Sequence, residues 1–183
     1  WWRHTWITRA EPPSVGIENK MSKTQVDLAS YVSKDGTYAL NVDSKYPMEN
    51  LNQPDARFQV RSDADEQLLL VFTFTEKVKI CGFSITAPIG DMQPTKVKLF
   101  ANQVSMGFDD AESTPAVFET DLETAQLSPE HTFPLRVVKF NGIDSVTVFI
   151  ESSEGGDISA VSTIKFFGEP LQGTNMNELK KVG

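Results

Sequence analysis

Short apolar runs recur along the chain, and Gly, Pro, Asp or Asn separates each run from the next. Residues 67–74 are apolar on both faces, which predicts a central strand that is fully covered. Residues 96–100 and 145–151 alternate between apolar and polar side chains, which predicts half-buried strands. The same criteria predict the other strands at residues 77–86, 117–120, 135–140 and 161–167, with a turn signal at Asn141-Gly142.

The predicted strands follow one another without long helices. No stretch of three or more helical turns appears between them, whereas parallel strands need long crossovers that are usually helical. The pattern therefore predicts an all-β fold in which antiparallel strands form a β-sandwich.

Two longer connections, at residues 87–95 and 102–115, interrupt this rhythm. Binding residues concentrate on loops that a rigid scaffold positions, so both are candidate functional loops. Two ordinary sandwich connections are the alternative.

The segments ahead of the first strand are polar and contain turn signals. Residues 25–32 predict a short lead-in in which Asp27 could cap a single turn. Residues 38–55 predict an ordered loop packed over the core, with a turn of helix near residues 48–51.

The first twenty residues differ in composition from the rest. They hold all three tryptophans and precede Met21, and they lack the apolar region of a signal peptide. We expect residues 1–20 to be a leader, tag or linker outside a domain that spans residues 21–183. Within that domain we expect a sandwich core at about residues 58–170 and a tail at residues 171–183.

The tail predicts a short amphipathic helix. Asn175 and Glu178 have the spacing of a capping box, and Met176, Leu179 and Val182 recur at helical spacing. The helix either folds back on the sandwich or is offered to a partner.

The 183-residue chain has a formal net charge of −8. An acidic surface repels phosphate backbones and anionic lipids, which disfavours nucleic acid and membrane surfaces as partners. It would suit a basic patch on another protein, although solubility alone also explains it. The chain has no run of 18 apolar residues, so the sequence predicts no membrane-spanning segment.

Cys81 is the single cysteine, and no N-glycosylation sequon occurs. Both facts fit a reducing compartment, the cytoplasm, with the nucleus left open. Because Cys81 lies in an apolar run, we expect a buried structural thiol. The histidines are His4 and His131, and nothing in the sequence pairs a nucleophile with either, so no catalytic residue is predicted.

Two acidic clusters, at residues 63–66 and 109–112, could supply oxygen ligands to calcium. Neither matches the spacing of an EF-hand loop, and turn or capping hydrogen bonds at a strand entry explain the first equally well. No metal site and no cofactor are therefore predicted.

Several segments, in order along the chain, resemble one family. Residues 62–69 (Ser-Asp-Ala-Asp-Glu-Gln-Leu-Leu) resemble the segment that opens the sandwich of the PITH domain, the proteasome-interacting thioredoxin domain. The resemblance covers about residues 24–182. The further matching segments are residues 25–28, 94–100, 134–140, 145–150, 168–170 and 174–177.

The resemblance implies a jelly-roll, galactose-binding-like β-sandwich. The family occurs as a stand-alone protein and as the C-terminal half of thioredoxin-like protein 1, where it docks the thioredoxin domain to the regulatory particle of the proteasome. This chain holds no Cys-x-x-Cys motif, so the redox activity does not carry over. We expect a stand-alone member, with an excised C-terminal domain as the alternative.

Two hypotheses follow. The first is a non-catalytic, monomeric docking module for the proteasome regulatory particle. Its candidate contact residues are Asp63, Asp65, Glu66, Met106, Phe108, Asn175, Met176 and Lys180. The second is a module that binds a sugar or another small ligand through the sandwich loops. The absence of tryptophan beyond Trp6 disfavours it, since sugar sites often stack rings on exposed aromatics.

Overall fold

The computed structural model describes residues 26–53, 55 and 57–171. Within this part, ten strands carry the fold: β1 (Val26–Asp27), β2 (Val32–Leu40), β3 (Val60–Arg61), β4 (Leu68–Thr86), β5 (Pro94–Ala101), β6 (Phe118–Asp121), β7 (Phe133–Pro134), β8 (Asn141–Ser153), β9 (Ala160–Val161) and β10 (Thr163–Pro170). One α-helix, α1 (Phe108–Ser113), and four 3-10 turns (Leu28–Tyr31, Met48–Asn52, Thr124–Gln126 and Val137–Lys139) join them. No helix of the described residues is long and apolar enough to cross a bilayer.

Strand β4 bends and contributes to both layers of the sandwich. Drawn straight, its 19 residues would extend about 60 Å. Its last residue, Thr86, is nevertheless joined to Pro94 by a connection that can span at most about 29 Å, and Pro94 pairs with Ser153 beside the start of β4. The bend lies at residues 75–77, where the register against β8 shifts.

The two halves of β4 organise two antiparallel layers. The first layer has the order β2, first half of β4, β8, β5 and β6, and the second has the order β1, β10, second half of β4 and β7. Strands β3 and β9 form a small separate ribbon. The predicted antiparallel sandwich is confirmed.

Phenylalanine side chains fill the space between the layers. Phe166 of β10 meets Phe72 edge-on at 5.3 Å between ring centroids, and it lies 5.8 Å from Phe83. All three rings are at most 7% exposed, and burying a side chain of this size stabilises the fold by about 1.5–3 kcal/mol. The high Phe content of the sequence is thus used in the core.

The outer face of the first layer is also covered. Leu69, Val71, Phe100 and Phe149 point outward from their strands and are fully buried beneath the connection at residues 102–117, which includes α1. This arrangement confirms that residues 67–74 are covered on both faces. The connection at residues 102–117 therefore covers this face of the sheet, and we call it the cover connection.

Residues 135–140 do not form the predicted strand. The Leu135 amide donates to the Cys81 carbonyl (2.9 Å), and the Phe140 carbonyl accepts from the Ile80 amide (2.9 Å). The two ends of this six-residue segment therefore bond to two adjacent residues of β4. Six extended residues cannot fit beside two, so the segment leaves the sheet and forms the 3-10 turn Val137–Lys139. β7 is only Phe133–Pro134.

Three further expectations are corrected. The predicted strands at residues 67–74 and 77–86 are one bent strand, β4. Asn141-Gly142 begins β8 rather than forming a turn, and Gly142 (φ 71°) is the extra residue of a bulge against β4. Part of the predicted loop at residues 38–55 is strand, because Tyr38 to Leu40 end β2.

The lead-in and the turn of helix are found where they were predicted. Asp27 caps the turn Leu28–Tyr31 by accepting from the Ala29 amide at 2.9 Å. Met48–Asn52 forms a 3-10 turn.

Candidate protein-interaction surface

The turn at residues 62–67 leads into β4. The side chain of Asn41, the residue that follows β2, holds this turn in place. Asn41 has a left-handed backbone (φ 59°), and its Nδ2 donates to Asp65 Oδ1 (2.7 Å) and to the Gln67 carbonyl (2.6 Å). Its Oδ1 accepts from the Ala64 amide at 3.0 Å. We call residues 62–67 the strand-entry turn.

The three acidic candidates of the strand-entry turn are not equivalent. Asp65 is exposed, but its Oδ1 also accepts from the Gln67 amide at 3.1 Å, so this carboxylate is used within the turn. Asp63 is exposed and Glu66 is half-buried. Neither makes an ion pair with any described residue. Asp63 and Glu66 are thus the two carboxylates of the turn that have no ionic partner among the described residues.

The strand-entry turn is connected to helix α1. Gln67 Nε2 donates to Glu112 Oε1 at 2.5 Å. At the other end of α1, Asp110 Oδ2 accepts from the Gly107 amide at 3.1 Å, which fixes the first turn. The structure therefore places the acidic clusters of residues 63–66 and 109–112 on neighbouring elements. Among the described residues, no three His, Cys, Asp or Glu side chains come together as a metal site.

Met106 is buried in the core, and Phe108 is half-buried against it. Met106 is 7% exposed and packs in the cluster under the cover connection. Phe108 is half-buried, with its ring 6.3 Å from that of Phe149. Asparagine, aspartate and glycine around them made this connection look like an exposed loop. Residues 67–74 are apolar on both faces, and this pattern was the sequence signal that another segment must cover the outer face of β4.

Carboxylates gather at the end of the sandwich where β4 starts and finishes. Hydrogen bonds tie these loops together: the Gly155 amide donates to the Asp91 carbonyl (2.7 Å) and the Asp43 amide to the Arg61 carbonyl (3.0 Å). We call this surface the acidic end. Its exposed or half-buried carboxylates include those of Asp43, Asp55, Asp63, Asp65, Glu66, Asp91, Asp121, Glu123, Glu154 and Asp157.

The cations at the acidic end are largely engaged. Arg57 pairs with Asp55 at 2.6 Å, and this hydrogen-bonded guanidinium lowers the pKa of Asp55 to about 2. The guanidinium of Arg61 lies 3.9 Å over the ring of Tyr46. The remaining field is negative and would attract a cationic surface.

The histidine and cysteine side chains have structural surroundings. The His131 ring meets Phe133 edge-on at 4.5 Å. The Cys81 thiol is half-buried rather than fully buried and donates to the Phe167 carbonyl at 3.1 Å. Burial raises the pKa of this thiol, so it is protonated at neutral pH. The tail candidates Asn175, Met176 and Lys180 lie outside the described residues.

The architecture is that of the galactose-binding-like β-sandwiches. The family 32 carbohydrate-binding module of C. perfringens NanJ, solved in complex with galactose, superposes with a TM-score of 0.54 over 78% of this chain and 98% of that one, at 12% identity. Likeness at this identity shows the fold alone.

The sequence defines the family within that fold class: residues 18–183 match the PITH domain, and the chain belongs to the PITH domain family. It is 31% identical over 160 residues to the PITH domain-containing protein CG6153 of Drosophila melanogaster, covering 85% of this chain and 72% of that protein. It is 36% identical over 128 residues to Thioredoxin-like protein 1 of Schizosaccharomyces pombe. That match covers 67% of this chain and 44% of the relative, so the chain spans less than half of the relative's length.

Proposed function

We propose that this domain is a non-catalytic docking module that binds the regulatory particle of the proteasome. Membership of the PITH domain family, shown by the match over residues 18–183, is the observation that carries the proposal. The likeness to Thioredoxin-like protein 1 supports the same role for this chain.

The strand-entry turn supplies the proposed contacts at the acidic end. Asp63 and Glu66 project from a turn that Asn41 holds in one conformation. A rigid turn loses little conformational entropy when it binds, which favours its use as a contact. Asp65 supports the turn from within, and the buried Met106 supports the fold.

A direct binding measurement tests the docking role. Purified regulatory particle is titrated with the labelled domain, and the NanJ carbohydrate-binding module serves as the control because it shares the fold. The proposal expects saturable binding of the domain and none of the control. Equal signals from the two domains would contradict it.

The charge-reversal variant Asp63→Lys/Glu66→Lys tests the proposed contacts. We expect its affinity to fall about tenfold or more, because reversing charges at an interface costs on the order of 1–3 kcal/mol. Asp35→Lys/Glu76→Lys is the matched control, since both residues are exposed at the opposite end. Identical affinities for the two double variants would remove the strand-entry turn from the interface.

Carbohydrate binding stays the alternative, and it rests on the shared fold. Titration with galactose, followed by thermal unfolding, separates the two functions, since a ligand that binds the folded state raises the Tm. The docking role predicts no shift for this domain under conditions in which the NanJ module shifts.

A further inference from the structure

The 3-10 turn beside β7 presents an apolar side chain to solvent. Val138 is 93% exposed, the highest value among the exposed large apolar residues of the described chain. Arg136 and Lys139, on either side of it, are also exposed. We call residues 136–139 the basic turn.

The basic turn is rigidly mounted. Leu135 and Phe140 flank it, are at most 6% exposed, and anchor its two ends in the core. Their backbone bonds to β4 fix the same two points, and the Lys139 amide donates to the Arg136 carbonyl at 2.8 Å to close the turn. Val138 is therefore held outward by the backbone, and its exposure does not reflect a loose loop.

Among the described residues, the two cations of the basic turn have no ionic partner, whereas the neighbouring lysines are neutralised. Lys77 pairs with Asp144 and Lys79 with Glu169, each at 2.6 Å. Arg136 and Lys139 make no ion pair with any described residue. In a chain of net charge −8 they form a cationic spot. That spot adjoins Ile80, toward the bend of β4 and away from the acidic end.

A rigidly held, exposed valine between two cations suits the docking of an acidic segment that also carries an apolar surface. Arg is enriched among the residues that dominate binding energy at interfaces, and complementary charge sets the orientation and specificity of docking. Building on the proposed docking role, we infer that the basic turn is a second docking surface. It fits an acidic segment of the partner protein that offers an apolar recess to Val138.

Matched substitutions test the basic turn in the same titration of purified regulatory particle. Val138→Glu is compared with Val104→Glu, because Val104 is 43% exposed on the cover connection, outside the acidic end and the basic turn. Arg136→Glu/Lys139→Glu is compared with Lys34→Glu/Lys165→Glu, because all four residues are exposed, neither control residue belongs to a proposed docking surface, and both double variants carry the same net charge. Thermal unfolding of each variant confirms that it is folded.

We expect both basic-turn variants to bind about tenfold or more weakly, and both controls to stay within about twofold of the wild type. The double variant should also flatten the salt dependence of binding, because it removes two attractive charges. If wild type binds and the basic-turn variants bind equally well, the inference is wrong and the docking role stands. If wild type itself does not bind, the docking role is wrong and the inference falls with it.

Discussion

Asn41 and Asp65 are 24 residues apart in sequence, and their side chains meet with 2.7 Å between Nδ2 and Oδ1. The side-chain amide of Asn41 both donates, through Nδ2, and accepts, through Oδ1. It thereby supplies hydrogen bonds to backbone groups of the turn. Asn102, also left-handed (φ 56°), does the same elsewhere: its Oδ1 accepts from the Asp144 amide at 2.8 Å.

Removing the Asn41 side chain should therefore loosen the strand-entry turn. Asn41→Gly keeps the backbone conformation and loses the bonds, so we expect a loss of about 1–3 kcal/mol in the free energy of unfolding. Asn41→Ala should lose about 1–2 kcal/mol more, because a Cβ penalises the left-handed region. Urea unfolding of both variants measures this difference, and equal stabilities would show that the backbone conformation is unimportant.

Gly168 is required by the close approach of β10 to β4. A Cβ at this position would overlap the Lys79 carbonyl oxygen, and the backbone on both sides is fixed in the sheet. Gly168→Ala should cost more than about 3 kcal/mol, as overpacking against rigid backbone does.

Gly107→Ala is the control for this prediction. Its nearest neighbour to an added Cβ is 3.8 Å away and its φ of −92° suits any residue, so we expect a change below about 1 kcal/mol. Chemical unfolding compares the two variants, and a tolerated Gly168→Ala would contradict the close approach.

Glu151 lies at the centre of an ion-pair cluster on the outer face of the first layer. Its Oε2 is 2.7 Å from Lys98 Nζ and 3.3 Å from Lys96 Nζ. Burial acts to raise the pKa of Glu151, but the two ammonium groups outweigh it and hold this pKa below its ordinary value of 4.5.

This cluster should make stability depend on pH. A carboxyl group whose pKa is lowered by folding stabilises the fold above pH 4.5, and that stabilisation is lost as the pH falls through the lowered pKa. Glu151→Gln should therefore be less stable than wild type at pH 7, with the difference shrinking under acid. Urea unfolding at several pH values measures this, with exposed Glu130→Gln as control; a difference independent of pH would refute the assignment.

Met106 should contribute to stability and not to docking. Met106→Ala leaves a cavity beside Phe149 and should cost about 2–5 kcal/mol, whereas Met106→Leu should cost less than about 1.5 kcal/mol. Affinity for the regulatory particle, measured where both variants are folded, should match wild type. Weaker binding by a folded Met106→Leu variant would return Met106 to the interface.

The main strands of the two layers could be predicted from the sequence, but the structure of the segments that connect them could not. Apolar residues from Leu68 to Phe72 leave no solvent face, so a central strand was predictable from them alone. The strand predicted at residues 135–140 failed because its partners on β4 are adjacent residues, which periodicity cannot reveal. Val137 and Val138 favour strands intrinsically, and tertiary pairing overrode that preference.

The candidate site was predictable to a similar extent. The strand-entry turn was found from its acidic residues, but the role of Asn41 depends on a contact across 24 residues of sequence. The alternation at residues 96–100 predicted a half-buried strand, yet Lys98 on its polar face is 6% exposed and pairs with Glu151. Such long-range pairings are set by topology, and a single sequence does not display them.

The bend at residues 75–77 makes one strand common to both layers, and β4 is bonded to β2, β7, β8 and β10. The two layers cannot separate unless β4 loses its hydrogen bonds to one of them. The domain should therefore melt as one cooperative unit, with no intermediate in which a single layer survives. A force that separates the layers would have to break the ladders that β4 forms with its neighbours.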